Sequence, residues 1–319
     1  MNKMIKGTWF EFRHLNEREG KYLNSVLQNF TAEQWRAQIN DIKSLGMEYL
    51  VLHATATNNE AFFASPKYKP FDMAVPDPFE ILLSTADELD MKVFVANDFV
   101  APWDDAWAMI TDKEINKKRE AYTHDLAELY AHHKSFYGWY WTNEAAIHPY
   151  FAEEFIDYVN RNSAIARKLT PGKKTLIAPY GTFRVKTDDR YIDQLERMDV
   201  DIIAYQDEVG VKKAVPFWTP RYFESLRKAH DRADRCGALW ADVEVFEFEN
   251  AVYTSALLPA TFDRVKAQLQ AVQDFVDEIL IYEYQGLFSR PGSIASTGLD
   301  SEKLYCDYSA YLTEIQKQK

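Results

Sequence analysis

Phe136-Tyr137-Gly138-Trp139-Tyr140-Trp141-Thr142-Asn143-Glu144 is an aromatic run of strand composition that ends on a carboxylate. A second run of this kind, Leu239-Trp240-Ala241-Asp242-Val243-Glu244-Val245-Phe246, follows later in the chain. A strand that commits its apolar residues to a core and carries an acid at its C-terminal tip is how parallel barrels build their working face.

Working outward from these two runs, six more segments read as strands: Ile5 to Phe12, Tyr49 to Thr55, Lys92 to Phe99, Thr175 to Tyr180, Asp201 to Gln206 and Ile279 to Tyr284. Helical patterns separate them. Thr31-Ala32-Glu33-Gln34 offers a capping box, Trp35, Ile39, Ile42 and Leu45 share one face, and Gly46 closes the helix. Asp77-Pro78 and Thr219-Pro220 each place a capping residue before a proline at a helix start. Further helices are expected from Asp112 to His132, Pro149 to Leu169, Asp188 to Glu196, Pro259 to Phe275 and Ser301 to Ile315.

A strict alternation of this length predicts an eight-stranded (β/α)8 TIM barrel or an open doubly wound sheet. The open sheet carries a glycine-rich first turn for phosphate, and the first strand here runs into Glu11-Phe12-Arg13-His14 without one. The barrel, as one domain over residues 1–319, is therefore the expected fold. The long connections Ala56 to Pro76 and Val209 to Trp218 fall on the face where barrels keep their sites.

Side-chain parity turns the tips into a site, because successive strand residues point to opposite faces. In the later run, Leu239, Ala241, Val243 and Val245 suit packing against helices, so Trp240, Asp242 and Glu244 face the lumen. In the earlier run, Trp139 and Trp141 go to the helices, and Gly138, Tyr140, Thr142 and Glu144 turn inward. Two carboxylates from the fourth and seventh strands can then flank one bond of a substrate over the mouth. One delivers a proton to a glycosidic oxygen while the other traps or stabilises the oxocarbenium-like carbon.

At these residues the chain resembles glycoside hydrolase clan A, and in particular the clan-A-like barrels of uncharacterised glycosyl hydrolase families. The resemblance implies that Asn143-Glu144 supplies the general acid/base, with Asn143 binding the hydroxyl next to the reacting carbon. It implies that Glu244 is the nucleophile, with Tyr205 on the sixth strand hydrogen-bonding it; a carboxylate separation of roughly 5 Å would make the mechanism retaining and a wider gap inverting.

Around this pair, Asp98 and Asp207 lie at strand ends and are read as substrate-binding or loop-ordering acids. Glu11 and Glu283 complete an acidic mouth, where they bind sugar hydroxyls or hydrogen-bond neighbouring strand ends. His14 and His53 are placed to orient a hydroxyl or a carboxylate. Trp9, Trp103, Tyr180 and Trp240 are candidates to stack on sugar rings, although each equally suits a core position.

Composition narrows the partners. There are 49 acidic against 37 basic residues, and the resulting formal charge of -12 repels phosphate backbones and anionic lipid, so no nucleic-acid or membrane partner is expected. Cys236 and Cys306 stand far apart without metal or redox spacing, and no HExxH, HxH or calcium-loop pattern occurs; neither a cofactor nor a metal is expected. Met1 to Lys6 runs into Gly7 without the apolar stretch of a secretory signal. A cytoplasmic location follows for the chain as written, or a periplasmic or secreted one if a signal was removed. Two other functions fit the same barrel: carbohydrate binding without cleavage, and a metal-assisted hydrolase or isomerase using Glu11, Asp98, Asp207 and Glu283.

Overall fold

The computed structural model describes residues 3–97, 105–144, 146–298 and 300–317. Eight strands run through it: β1 (Gly7–Phe10), β2 (Tyr49–Leu52), β3 (Lys92–Ala96), β4 (Phe136–Tyr140), β5 (Lys174–Ile177), β6 (Ile202–Gln206), β7 (Ala238–Glu244) and β8 (Glu278–Tyr282). They close in chain order into one barrel, each pairing in parallel with its neighbours, and β8 returns to β1 through Gly7↔Leu280 and Thr8↔Ile281. Helices fill the connections, and the expected (β/α)8 TIM barrel is the fold.

Several strands leave the ladder before the end of their apolar run. Pairing in β4 stops at Tyr140, with only the Trp141 amide still reaching the Leu176 carbonyl at 3.0 Å. The residues beyond, Thr142 to Glu144, are freed from strand geometry and form part of the mouth.

Helix starts follow the local signals. Thr31 caps Ala32–Ser44 with both halves of the box formed: its hydroxyl accepts from the Gln34 amide at 3.2 Å, and Gln34 Oε1 accepts from the Thr31 amide at 3.0 Å. Asp77 caps Pro78–Glu88. Thr219 differs from expectation. It is already the first residue of Thr219–Arg232, and its hydroxyl donates backward to the Val215 carbonyl at 3.0 Å.

Alternation along the strands builds two apolar layers. Trp139, Trp141, Leu239, Val243 and Ile281 pack outward against the helices, while Trp9, Tyr49, Phe94, Tyr140 and Trp240 fill the barrel. Gly138 marks where this interior is tightest. A Cβ there would lie 2.5 Å from the Lys174 carbonyl oxygen and 2.8 Å from the Phe94 ring, closer than any side chain can approach.

Two small sheets decorate the mouth. Phe246–Phe248 pairs antiparallel with Leu257–Pro259 after β7, and Ala56–Thr57, Glu60–Ala61 and Lys69–Pro70 form a three-stranded patch after β2. Among the described residues no helix is long and apolar enough to cross a membrane.

Candidate active site

The free end of β4 places Thr142 and Asn143 in the wall, each 2 % exposed, and lifts Glu144 into solvent. Glu244 is the last residue of β7 and stays 4 % exposed. Both acids line one cavity of about 630 Å³ at the C-terminal ends of the strands, together with His53, Gln206 and Asp242. In the closed strand order, β5 and β6 lie between their strands on one side and four strands on the other, so the two acids approach the cavity from different walls.

Glu244 is held firmly. Its Oε2 accepts from the Val211 amide at 2.8 Å, its own amide donates to Asp207 Oδ1 at 3.1 Å, and its carbonyl accepts from Gln268 Nε2 at 2.8 Å. Gly210 permits this arrangement, because a Cβ there would meet Glu244 Oε2 at 2.9 Å. Burial pushes the Glu244 carboxyl well above the usual carboxylate range, and the nearby Asp207 adds to the shift.

Glu144 is also raised. Loss of solvation among the mouth residues is the main cause, opposed by His53 and by the Gln206 amide. Below the pair, burial raises Asp242 well above its ordinary range, the Trp9 indole offsetting only part of this, and Asp242 Oδ1 is buried with no hydrogen bond. So many carboxyls in one basin cannot all ionise, and charge settles where donors meet it.

The expected site residues divide into three groups. Asn143, Glu144, His53, Tyr180 and Glu244 line the cavity. Asn143 Nδ2 donates to the Ala106 carbonyl at 2.7 Å, while its buried Oδ1 has no partner and is left to accept from a ligand. Asp98 and Trp103 lie outside the described residues.

The others are corrected by their surroundings. Tyr205 points outward between helices, where its hydroxyl meets that of Tyr191 at 2.6 Å and His230 Nε2 at 2.9 Å, so it cannot serve Glu244. Trp9 and Trp240 fill the barrel below the mouth at 1 % and 5 % exposure, Trp9 edge-on to Tyr140 and Trp240 against Tyr49, and offer no face to a sugar. Asp207 is turned into the wall, where Oδ1 holds the amides of Val209 and Glu244 and Oδ2 accepts from Gln268 at 2.8 Å. Glu11 is buried against His14, and Glu283 lies beside them.

Several lining residues have no signature in the sequence. Asp242 and Gln206 face inward, Asp242 by the parity that placed Glu244, but nothing in their local sequence marks a role. Tyr253 comes from the turn between Phe246–Phe248 and Leu257–Pro259. Its hydroxyl meets that of Tyr180 at 2.9 Å, and Lys213 Nζ lies 4.0 Å from the centre of the Tyr180 ring. Loop residues of this kind carry no periodic signal. Among the described residues, Glu11, His14 and Glu283 are the group whose ligand atoms converge closely enough for a metal, within 4.8 Å of one another.

Fold and site together define a parallel barrel with an acidic cavity at its C-terminal face, carboxylates reaching it from the tips of β4 and β7. The chain belongs to the family described as a domain of unknown function, DUF4434, whose model matches residues 5–295. No curated protein matches it.

Solved structures share the barrel. A proposed alpha-L-fucosidase from Bacteroides thetaiotaomicron VPI-5482 superposes with a TM-score of 0.75 at 20% identity, over 98% of this chain and 94% of its own. An endo-1,4-beta-mannanase from Rhizomucor miehei gives 0.61 at 13% identity, covering 98% and 95%. An endo-1,4-beta-D-mannanase from Thermotoga petrophila RKU-1 gives 0.62 at 12% identity, covering 98% and 99%. At these identities the likeness establishes the fold.

Proposed function

We propose that the protein is a glycoside hydrolase cleaving a glycosidic bond in an oligo- or polysaccharide, with Glu144 as general acid/base, Glu244 as nucleophile, and residues 1–319 acting as one catalytic domain. The observation that carries this reading is that Glu144 and Glu244, from the tips of β4 and β7, line the same cavity. The barrels named as mannanases and as a proposed fucosidase lend it support, since they share the framework on which the pair is mounted.

The two carboxyls stand in different surroundings. Glu144 stands at the solvent-facing rim, where a leaving oxygen departs, and its raised carboxyl retains a proton for that oxygen. Glu244 is sunk in the wall with Oε2 fixed by the Val211 amide, which orients the carboxylate and offsets part of the rise that burial and Asp207 impose on it. In a retaining reaction Glu244 attacks the anomeric carbon and Glu144 protonates the departing oxygen. Glu144 then takes a proton from the water that releases the sugar. Asn143 Oδ1 accepts from the hydroxyl beside the reacting carbon.

The test is sugar release from a panel of polysaccharides and aryl glycosides by wild type, Glu144→Gln and Glu244→Gln, with product anomer followed by NMR. Both variants are expected to lose at least about 100-fold in turnover while still binding substrate, and wild type to release product with retained configuration. Unchanged turnover in both variants defeats the assignment. Binding by wild type with no turnover on any substrate points instead to a carbohydrate-binding barrel.

A further inference from the structure

The loop after β1 meets the tip of β8 in a cluster that the hydrolytic pair does not use. Glu11 and Glu283 are each 1 % exposed and His14 is 5 % exposed. His14 Nδ1 lies 2.8 Å from Glu11 Oε1 and 3.9 Å from Glu283 Oε1, and Nε2 lies 3.1 Å from Glu19 Oε2. Three carboxylates thus surround one imidazole. Among the described residues no lysine or arginine forms an ion pair with any of the three.

A cluster of acids alone means little, but two further observations point to an occupant. Glu283 Oε2 is buried and receives no hydrogen bond, a costly state for a carboxylate oxygen. A recess of about 20 Å³ on the Glu283 side of the cluster, lined by His14, Glu19, Glu283 and Gln285 though not by Glu11, has room for one water-sized guest.

We propose that Glu11, His14 Nδ1 and Glu283 form a binding site for a divalent transition-metal ion of the Mn²⁺ or Zn²⁺ kind. Against the cost of burial, the carboxylates around it hold the His14 imidazole well above its usual range, so a divalent cation would displace that proton and take over the offsetting of the carboxylate charge. One imidazole nitrogen and two carboxylates suit a borderline ion more than Ca²⁺ or Mg²⁺, which prefer oxygen throughout. With an ion bound, Glu19 would take the place of the outer partner that a metal-bound histidine ordinarily keeps, accepting from Nε2 and leaving Nδ1, which the Tyr282 hydroxyl meets at 3.2 Å, as the ligand.

The ion would tie the 11–19 loop to the tip of β8. His14 and Glu19 also line the main cavity, so the clamp would set the shape of that wall. The site does not depend on the hydrolase reading, because its ligands are not the proposed catalytic pair.

The competing arrangement is an imidazolium at His14 paired with Glu11 and a proton on Glu283, whose carboxyl burial and Glu11 together hold well above its ordinary range. Isothermal titration of chelator-treated full-length protein with MnCl₂ and ZnCl₂, paired with thermal melts, separates the two. One saturable ion per chain is expected for wild type and for Glu144→Gln, accompanied by a rise in Tm. Glu283→Gln should abolish binding, and Glu19→Gln should weaken it about 10- to 100-fold. Both substitutions remove charge and little volume; if Glu283→Gln does not fold, Glu19→Gln decides alone. The site is overturned if neither ion binds wild type, or if binding survives undiminished in the folded variants. Since the readout is ion binding, failure here leaves the Glu144 and Glu244 assignment standing, and the reverse also holds.

Discussion

The backbone amide of Glu244 donates to Asp207 Oδ1 at 3.1 Å, so the candidate nucleophile is held through its main chain by an acid that lies outside the cavity lining. Gln268 completes the link, donating at 2.8 Å both to Asp207 Oδ2 and to the Glu244 carbonyl. Asp207 is a positioning residue in this geometry. Asp207→Asn keeps one acceptor but turns an N–H donor against the Gln268 amide. We expect kcat to fall about 10-fold with KM little changed, and stability to drop by about 1–3 kcal/mol. Steady-state kinetics and a urea melt check this; a change confined to KM would count against it.

The role of Glu144 as proton donor makes a prediction about leaving groups. A glycoside whose leaving group is already a weak base, such as a dinitrophenol, needs no proton, so Glu144→Gln should keep a near wild-type kcat/KM for it, while kcat falls because release of the sugar still needs Glu144 as base. On a natural sugar leaving group the same variant should be slower by about 10²- to 10⁴-fold. Glu244→Gln should be slow on both. A kcat/KM that falls equally for both leaving groups in Glu144→Gln would remove the acid assignment.

Tyr205 tests the structure against the family resemblance. Its hydroxyl joins Tyr191 and His230 behind the strand wall. Tyr205→Phe should therefore leave kcat/KM unaltered and lower stability by about 1 kcal/mol, the typical net value of a buried hydrogen bond. A large loss of activity with unchanged stability would show that the side chain serves the nucleophile after all.

Glu208 predicts a pH dependence of stability. The residue is fully buried, and its Oε1 accepts from the amides of Gly181 at 2.8 Å and Thr182 at 2.6 Å. Burial nonetheless raises its carboxyl from 4.5 to about 7. Between those values the folded chain holds more protons than the unfolded one. The contribution is thus complete below about pH 4.5 and is lost as pH rises through about 7. It amounts to something on the order of 3 kcal/mol. Glu208→Gln keeps an acceptor for both amides and cannot ionise. Melts at pH 4 to 8 should show the variant gaining on wild type as pH rises across that window, and parallel curves would refute the burial effect.

The barrel itself is legible in the order of the residues. Eight apolar runs separated by helical periods are enough for it, because a parallel sheet buried on both faces leaves its strands as near-continuous hydrophobic segments. The phase of β7 is legible too. Asp242 and Glu244 alternate with Ala241 and Val243, and a charged side chain can occupy only the face that opens to the mouth. The same contrast turns Trp139 and Trp141 to the helices, but Glu144 lies past the end of β4, where strand alternation no longer applies.

The sixth strand has no such marker. Ile202 to Gln206 is buried on both faces, so the apolar pattern leaves the phase of Tyr205 open, and only closure of the barrel turns it toward the helices. Closure likewise decides that Trp9 and Trp240 are core, since an aromatic on an inward face is a sugar platform or a filler according to its height in the lumen. The engagement of Glu11 by His14, of Glu208 by Gly181 and Thr182, and of Tyr180 by Tyr253 rests on contacts that no local pattern records. By itself, then, the sequence determined the barrel and the inward direction of Glu244, because strand period and burial act locally. Which of the remaining polar groups face a ligand and which satisfy one another was left to the tertiary structure, because hydrogen-bond partners in a closed barrel are chosen across the mouth rather than along the chain.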